Sequence, residues 1–172
     1  MIYLNDVVYE WLSLTFPEVD WRFDGQVNAY PMPQNDGVFG FIRLTHLENL
    51  AVNLHTDTFN EADEKIDRTL KNSYKARVSI DIYSQDESNA ATDAALVAAK
   101  IVAYLDDVNV KEYFDSNNVG FLYVDSIQDL SLIESGQIRK RWHVETYFNI
   151  EMSYDTQIGF ISSIPLDTDI SK

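Results

Sequence analysis

The sequence predicts an α/β domain of the α+β kind: a mixed, largely antiparallel sheet packed by an N-terminal helix and a long alanine-rich helix. Three stretches carry that expectation. Residues 141–152, RWHVETYFNIEM, alternate without a break, placing Trp142, Val144, Thr146, Phe148, Ile150 and Met152 on one side of an extended backbone. Arg141, His143, Glu145, Tyr147, Asn149 and Glu151 fall on the other. Residues 75–84, KARVSIDIYS, keep the same period, with Ala76, Val78, Ile80 and Ile82 against Arg77, Ser79, Asp81 and Tyr83. Residues 89–105 are instead rich in alanine, the strongest helix former. A strand of ~12 residues is about twice the usual length, so it crosses a whole sheet or projects beyond it. Its dry face makes the core, and its charged face has to meet water or another subunit.

Taken in order, residues 2–14 place Leu4, Val7, Val8, Trp11 and Leu12 at helical spacing, with Asp6 and Glu10 opposite and Pro17 past the end. Residues 19–23 are a short extended piece. Residues 26–37, QVNAYPMPQNDG, are turn formers and read as a loop. Residues 38–47, VFGFIRLTHL, read as a strand apolar on both faces, hence inside the sheet. From 48 to 72 no regular period holds, and a connection of that length in a compact domain is commonly a binding loop or a hairpin arm. After the strand at 75–84, residues 85–88 break the chain, with Ser88 as the expected cap of the helix at 89–105. Apolar residues cover much of that helix, so it is either central or pressed on a neighbour; packing on the sheet through one face is the favoured reading. A short helix at 110–117, a strand at 121–128 and a loop at 130–137 lead to the long strand. Residues 156–172 form a C-terminal tail with a second apolar patch, GFISSIPL. No repeat or low-complexity linker divides the chain, so the expectation is one domain over residues 1–172, with an arm at 48–72.

Composition narrows the class. The chain has 172 residues, 45% of them hydrophobic, enough for a sizeable core. Its 13 basic and 28 acidic residues leave a formal charge of −15, which repels phosphate and disfavours sequence-specific DNA binding. The same sign suits a protein that lets DNA slide past without sticking. There is no cysteine, so disulfides and thiolate metal sites are excluded. The N-terminus carries Asp6 and Glu10 and no basic leader, and reads as neither a signal peptide nor a membrane span; a soluble protein made in a cytoplasm is expected.

Chemistry-bearing motifs are missing. His46, His55 and His143 are scattered without ligand spacing, and no nucleophile elbow, P-loop or dinucleotide fingerprint occurs, so neither metal nor cofactor nor catalytic residues are expected. The acidic group Glu61, Asp63, Glu64 and Asp67 lacks the ligand order of a calcium loop and reads as a solvated face. Asp106 and Asp107 stand at a helix C-terminus, where the macrodipole disfavours acids, and read as tolerated surface residues. The one basic concentration, Arg139, Lys140 and Arg141, reads as a source of salt bridges within the sheet or to a neighbouring subunit rather than a nucleic-acid patch.

The order of elements resembles that of tailed-bacteriophage neck or tail terminator proteins. The resemblance rests on Tyr30 to Pro33 before GFIRL, on RVSIDIYSQDESNAATDAALVAAKIVAYL, and on VDSIQDLSLIESGQIRKRWHVETYFNIEMSY. It implies a virion protein made in the bacterial cytoplasm that forms a homo-oligomeric ring, usually hexameric. Such a ring caps the tail tube, ends its polymerisation and joins the tail to head-completion or connector proteins, with DNA passing through the lumen. On that reading the candidate contacts with other subunits or partners are Arg139, Lys140, Arg141, His143 and Glu145 on the long strand and Asp57, Glu61 and Glu64 on the arm. Two alternatives remain at this level: a head-completion (stopper) or tail-tube subunit, and a small acidic enzyme or ligand-binding domain.

Overall fold

A computed structural model describes residues 2–23, 37–50, 54–60, 65–85, 93–134 and 137–159. The elements in chain order are α1 (Ile2–Thr15), β1 (Val19–Phe23), β2 (Val38–Asn49), β3 (Leu54–Asn60), β4 (Lys65–Gln85), α2 (Ala94–Leu105), α3 (Val108–Ser116), β5 (Val119–Asp129), β6 (Leu132–Glu134) and β7 (Gln137–Gly159). The strands hydrogen-bond in the order β1-β2-β4-β7-β5, with β3 joined to β4 and β6 to β7. Of the pairs with a described register, β1 with β2 is parallel and the others are antiparallel. Side-chain bonds from Ser73 to Asn149, Arg77 to Glu145 and Arg141 to Asp81 show that β4 and β7 also run antiparallel, since residue numbers rise along one as they fall along the other. The chain gathers into two compact units, Met1–Leu50 with Ser73–Glu151, and Ala51–Asn72 with Met152–Lys172.

In the first unit, alternation separates two layers. β4 sends Ala76, Val78, Ile80 and Ile82 to one face, and β7 sends Val144, Thr146, Phe148 and Ile150 to the same face; all are buried. Thr146 can be buried because its hydroxyl donates to the Val78 carbonyl at 3.1 Å. The helices cover this face. Phe114 of α3 packs on Phe148 at 5.2 Å between ring centroids, Trp11 of α1 packs on Phe114 at 5.3 Å, and Phe16, just past α1, meets Tyr104 of α2 at 5.8 Å. Each fully buried aromatic or aliphatic side chain contributes about 1.5–3 kcal/mol from water exclusion, so this layer dominates the stability of the unit.

Several expectations needed correction. β2 is buried from Val38 to Ile42 but part-exposed or exposed from Arg43 on, so it is not apolar on both faces throughout. The change falls where β1 ends, because Phe23 pairs with Ile42 and beyond it β2 has a described neighbour only in β4. The alanine-rich helix begins at Ala94, not at residue 89, and its cap is Asp93, whose carboxylate accepts from Ala95 N at 2.9 Å in an extended backbone conformation. Ser88 lies outside the described residues. The helix does pack through one face, burying Ala94, Val97, Ala98, Ile101 and Leu105. Asp107 is no tolerated misfit: it caps α3, accepting from Asn109 N at 2.8 Å, while Asp106 meets Lys111 at 3.5 Å. The segment 130–137 is not all loop, since β6 pairs with the foot of β7. The strand at 75–84 begins ten residues earlier, at Lys65. The loop expected at 26–37 lies, but for Gly37, outside the described residues, as does the tail from 160 onward.

One close approach shapes the β1 edge. A Cβ on Gly40 would overlap the indole of Trp21, so only glycine lets β1 lay its tryptophan across β2. Trp21 is held there by its Nε1–H donating to the Phe16 carbonyl at 3.3 Å. At the other end of the order, β5 carries two register shifts, between Phe121 and Tyr123 and between Val124 and Ser126.

Candidate functional site

The side chains that alternate away from the helices build a polar sheet face in the first unit. Its parts follow from register. Phe41 pairs with Asp81 and Arg43 with Ser79, while β7 brings Arg141, His143, Glu145, Tyr147 and Asn149 alongside β4. Asp81 lies at the centre with its side chain only 5% exposed. Arg141 donates to its Oδ1 from Nε at 3.3 Å and from Nη2 at 3.2 Å, His143 Nδ1 lies 3.0 Å away, and Arg43 approaches within 4.0 Å. A carboxylate this buried is tolerated because cations and hydrogen bonds replace its hydration.

The network continues through Glu145. His143 Nε2 stands 3.7 Å from one of its oxygens, and the other accepts from Arg77 at 3.2 Å and from the Tyr147 hydroxyl at 3.1 Å. Burial, and then the bond to Glu145, push the Tyr147 phenol above its ordinary value. Tyr147 stacks on Tyr123 at 4.8 Å, and the Lys75 ammonium sits over both rings while donating to the Tyr123 oxygen at 2.7 Å. That hydrogen bond raises the Lys75 pKa, so the ammonium stays charged. At the other end Phe39 stacks on Tyr83 at 4.9 Å, with Phe41 edge-on to both. The carboxylates are sunk and the guanidiniums are not: Arg43, Arg77 and Arg141 are 47%, 37% and 33% exposed, against 5% for Asp81 and 17% for Glu145. The centre of the face therefore presents positive charge, although Asp20, Glu48 and Glu151 stand exposed around its perimeter.

The second unit is built otherwise. β3 pairs with the first part of β4 from Leu54 opposite Lys71 to Asn60 opposite Lys65, a hairpin where the sequence showed no period. Thr69 donates to Asp155 at 2.7 Å, and Asp67 accepts from Gln157 at 3.0 Å, so the end of β7 lies on the other side of β4. Register then sorts two faces: Thr56, Thr58, Asp67, Thr69, Asp155 and Gln157 on one, and Phe59, Ile66, Leu70 and, by alternation, Tyr154 on the other. No described residue of this unit is fully buried, and Phe59 and Tyr154 are half exposed.

Of the residues expected from sequence to make contacts, Arg141 and His143 meet at Asp81, and His143 also stands 3.7 Å from Glu145. Lys140 points to the helix side, where it meets the Asp93 cap at 3.2 Å. Arg139 pairs with Leu132 through its backbone, and its side chain lies outside the described set. Asp57 is bound by Arg68 through both oxygens, at 2.7 and 2.8 Å. Glu61 and Glu64 lie outside the described residues. Sequence reasoning missed Asp81, Arg43, Arg77, Lys75, Tyr123 and Tyr147. Pairing the polar phase of KARVSIDIYS with that of RWHVETY would have brought Asp81 and Arg77 to opposite charges, but register is needed to do it.

Among the described residues no cluster of metal-binding side chains occurs, and no helix is long and apolar enough to cross a membrane. No curated protein matches the sequence. Residues 3–171 match the family described as phage neck terminator protein, a span that takes in both the polar sheet face and the hairpin arm. The chain therefore belongs to the phage neck terminator family and is a structural protein of the virion neck.

Proposed function

We propose that this protein assembles into a ring that caps the finished tail tube, stops its growth and offers a docking surface to the head-completion proteins, with DNA passing through the central opening. The family match over nearly the whole chain carries this reading. Its mechanism is steric and interfacial: no bond is made or broken. The polar sheet face, with Arg141, His143 and Glu145, serves as a subunit contact, and the arm containing Asp57, Glu61 and Glu64 contacts a partner. A formal charge of −15 keeps phosphate from adhering during passage.

The test is electron microscopy of particles made without the protein. Overlong tails, or finished tails that fail to join heads, are the expected phenotype. Normal tails joined to filled heads would overturn it. A stopper would leave tail length unchanged while filled heads leaked DNA, and a tube subunit would leave no tails at all.

A further inference from the structure

Among the described residues the helices of the first unit cover one face of its sheet, and the other face carries the basic centre just described. The helix layer has the opposite character. Along the outside of α1, Asp6, Tyr9, Glu10 and Leu14 follow the i, i+3, i+4, i+8 spacing of a single stripe, and all four are exposed, Leu14 by 72%. On the adjacent α3, held to α1 by Trp11 on Phe114 and by the Tyr113 hydroxyl on the Val7 carbonyl, Glu112 and Asp115 are also exposed. One side of the unit thus shows carboxylates with Tyr9 and Leu14; the other shows the guanidiniums of Arg43, Arg77 and Arg141, while Phe39 and Phe41 beside them are buried.

We propose that the occupant of the polar sheet face is the α1 stripe of a second copy, so that copies associate head to tail. This rests on the ring reading above and names the two surfaces that meet. Asp6 and Glu10 face Arg43, Arg77 and Arg141. The perimeter carboxylates Asp20, Glu48 and Glu151 set the register, because a helix displaced outward meets like charge. A contact between two different surfaces repeats from copy to copy and makes a ring when the rotation between copies closes, whereas a self-complementary contact stops at a dimer.

Charge reversal tests the pairing in the full-length chain, with folding checked by circular dichroism and assembly by native mass spectrometry. Asp6→Arg with Glu10→Arg makes both surfaces basic, and Arg43→Glu with Arg77→Glu makes both acidic. Each double variant is expected to lose association by on the order of 100-fold and to run at the 19.8 kDa monomer mass. Mixed in equal amounts, the two become complementary at every junction, so even-numbered oligomers of 1:1 composition return. Should the sheet variant not fold, the cysteine-free chain allows a second route. Glu10→Cys together with Arg43→Cys should form a ladder of disulfide-linked multimers on oxidation, while either single variant forms none. A helix variant that assembles like the wild type overturns the pairing and leaves the ring reading standing. A wild-type chain that remains monomeric when added to tail tubes overturns both. DNA binding that disappears with Arg43→Glu and Arg77→Glu would give the patch to DNA instead.

Discussion

Replacing Asp81 by alanine should expose how much of the polar face depends on one carboxylate. The group is 5% exposed and accepts from Arg141 and His143, with the Arg43 guanidinium 4.0 Å away. Breaking a fully buried pair costs about 3–5 kcal/mol, because the surviving charge is stranded. Here Arg141 is 33% exposed and recovers water, so the expected loss is nearer two charge-assisted hydrogen bonds, about 2–3 kcal/mol. For a chain of this size that lowers the melting temperature by about 4–12 °C. Urea titration followed by tryptophan fluorescence should show an earlier midpoint with an unchanged slope, the mark of lost stability rather than a changed unfolded state. The companion Asp81→Leu with Arg141→Met removes both charges and should recover most of the loss. A midpoint indistinguishable from the wild type in Asp81→Ala would refute the reasoning, and so would a companion variant less stable than the single one.

Three further outcomes follow from the packing and the charges. Phe148→Ala removes a ring that touches both Phe114 and Phe121 and should cost about 3–5 kcal/mol, read as a shift of the denaturation midpoint. Gly40→Ala places a methyl group into the Trp21 indole and should cost about 1–3 kcal/mol, with a change in tryptophan emission as the ring is displaced. The Ser131 hydroxyl and backbone N–H hold the Asp129 carboxyl below the usual carboxylate range. That interaction stabilises the fold above the unfolded-state pKa and is lost as pH falls through the lowered folded value; Ser131→Ala should move the Asp129 midpoint upward in a carboxyl NMR titration.

Much of the first unit was legible because its elements bury one face. Leu4, Val7, Val8, Trp11 and Leu12 mark α1 to within a residue of its end, and Val144 to Ile150 give the phase of β7 correctly. The arm was not legible for the converse reason: strands with no fully buried residue have little contrast between faces, so β3 and the first third of β4 show no clean period. The start of α2 was misread since several residues before Ala94 are acceptable helix formers or caps, and only the Asp93 geometry decides among them. The candidate site was half visible. Arg141, His143 and Glu145 stood out in a conspicuous strand, but Asp81 sat in another strand as an ordinary solvent-phase residue, and it is strand register that turns it into the shared partner of Arg141 and His143.

The two register shifts in β5 bear on a different hazard, uncontrolled strand addition. β5 ends the strand order, and a straight edge strand carrying Leu122, Tyr123 and Ile127 in exposed positions would be a template for adding strands from other chains without limit. Each bulge breaks the even spacing of donors and acceptors that an incoming strand must match, and Asp125 and Asp129 place charge on the same edge. The β5 edge of one copy is therefore a poor template for a strand of another.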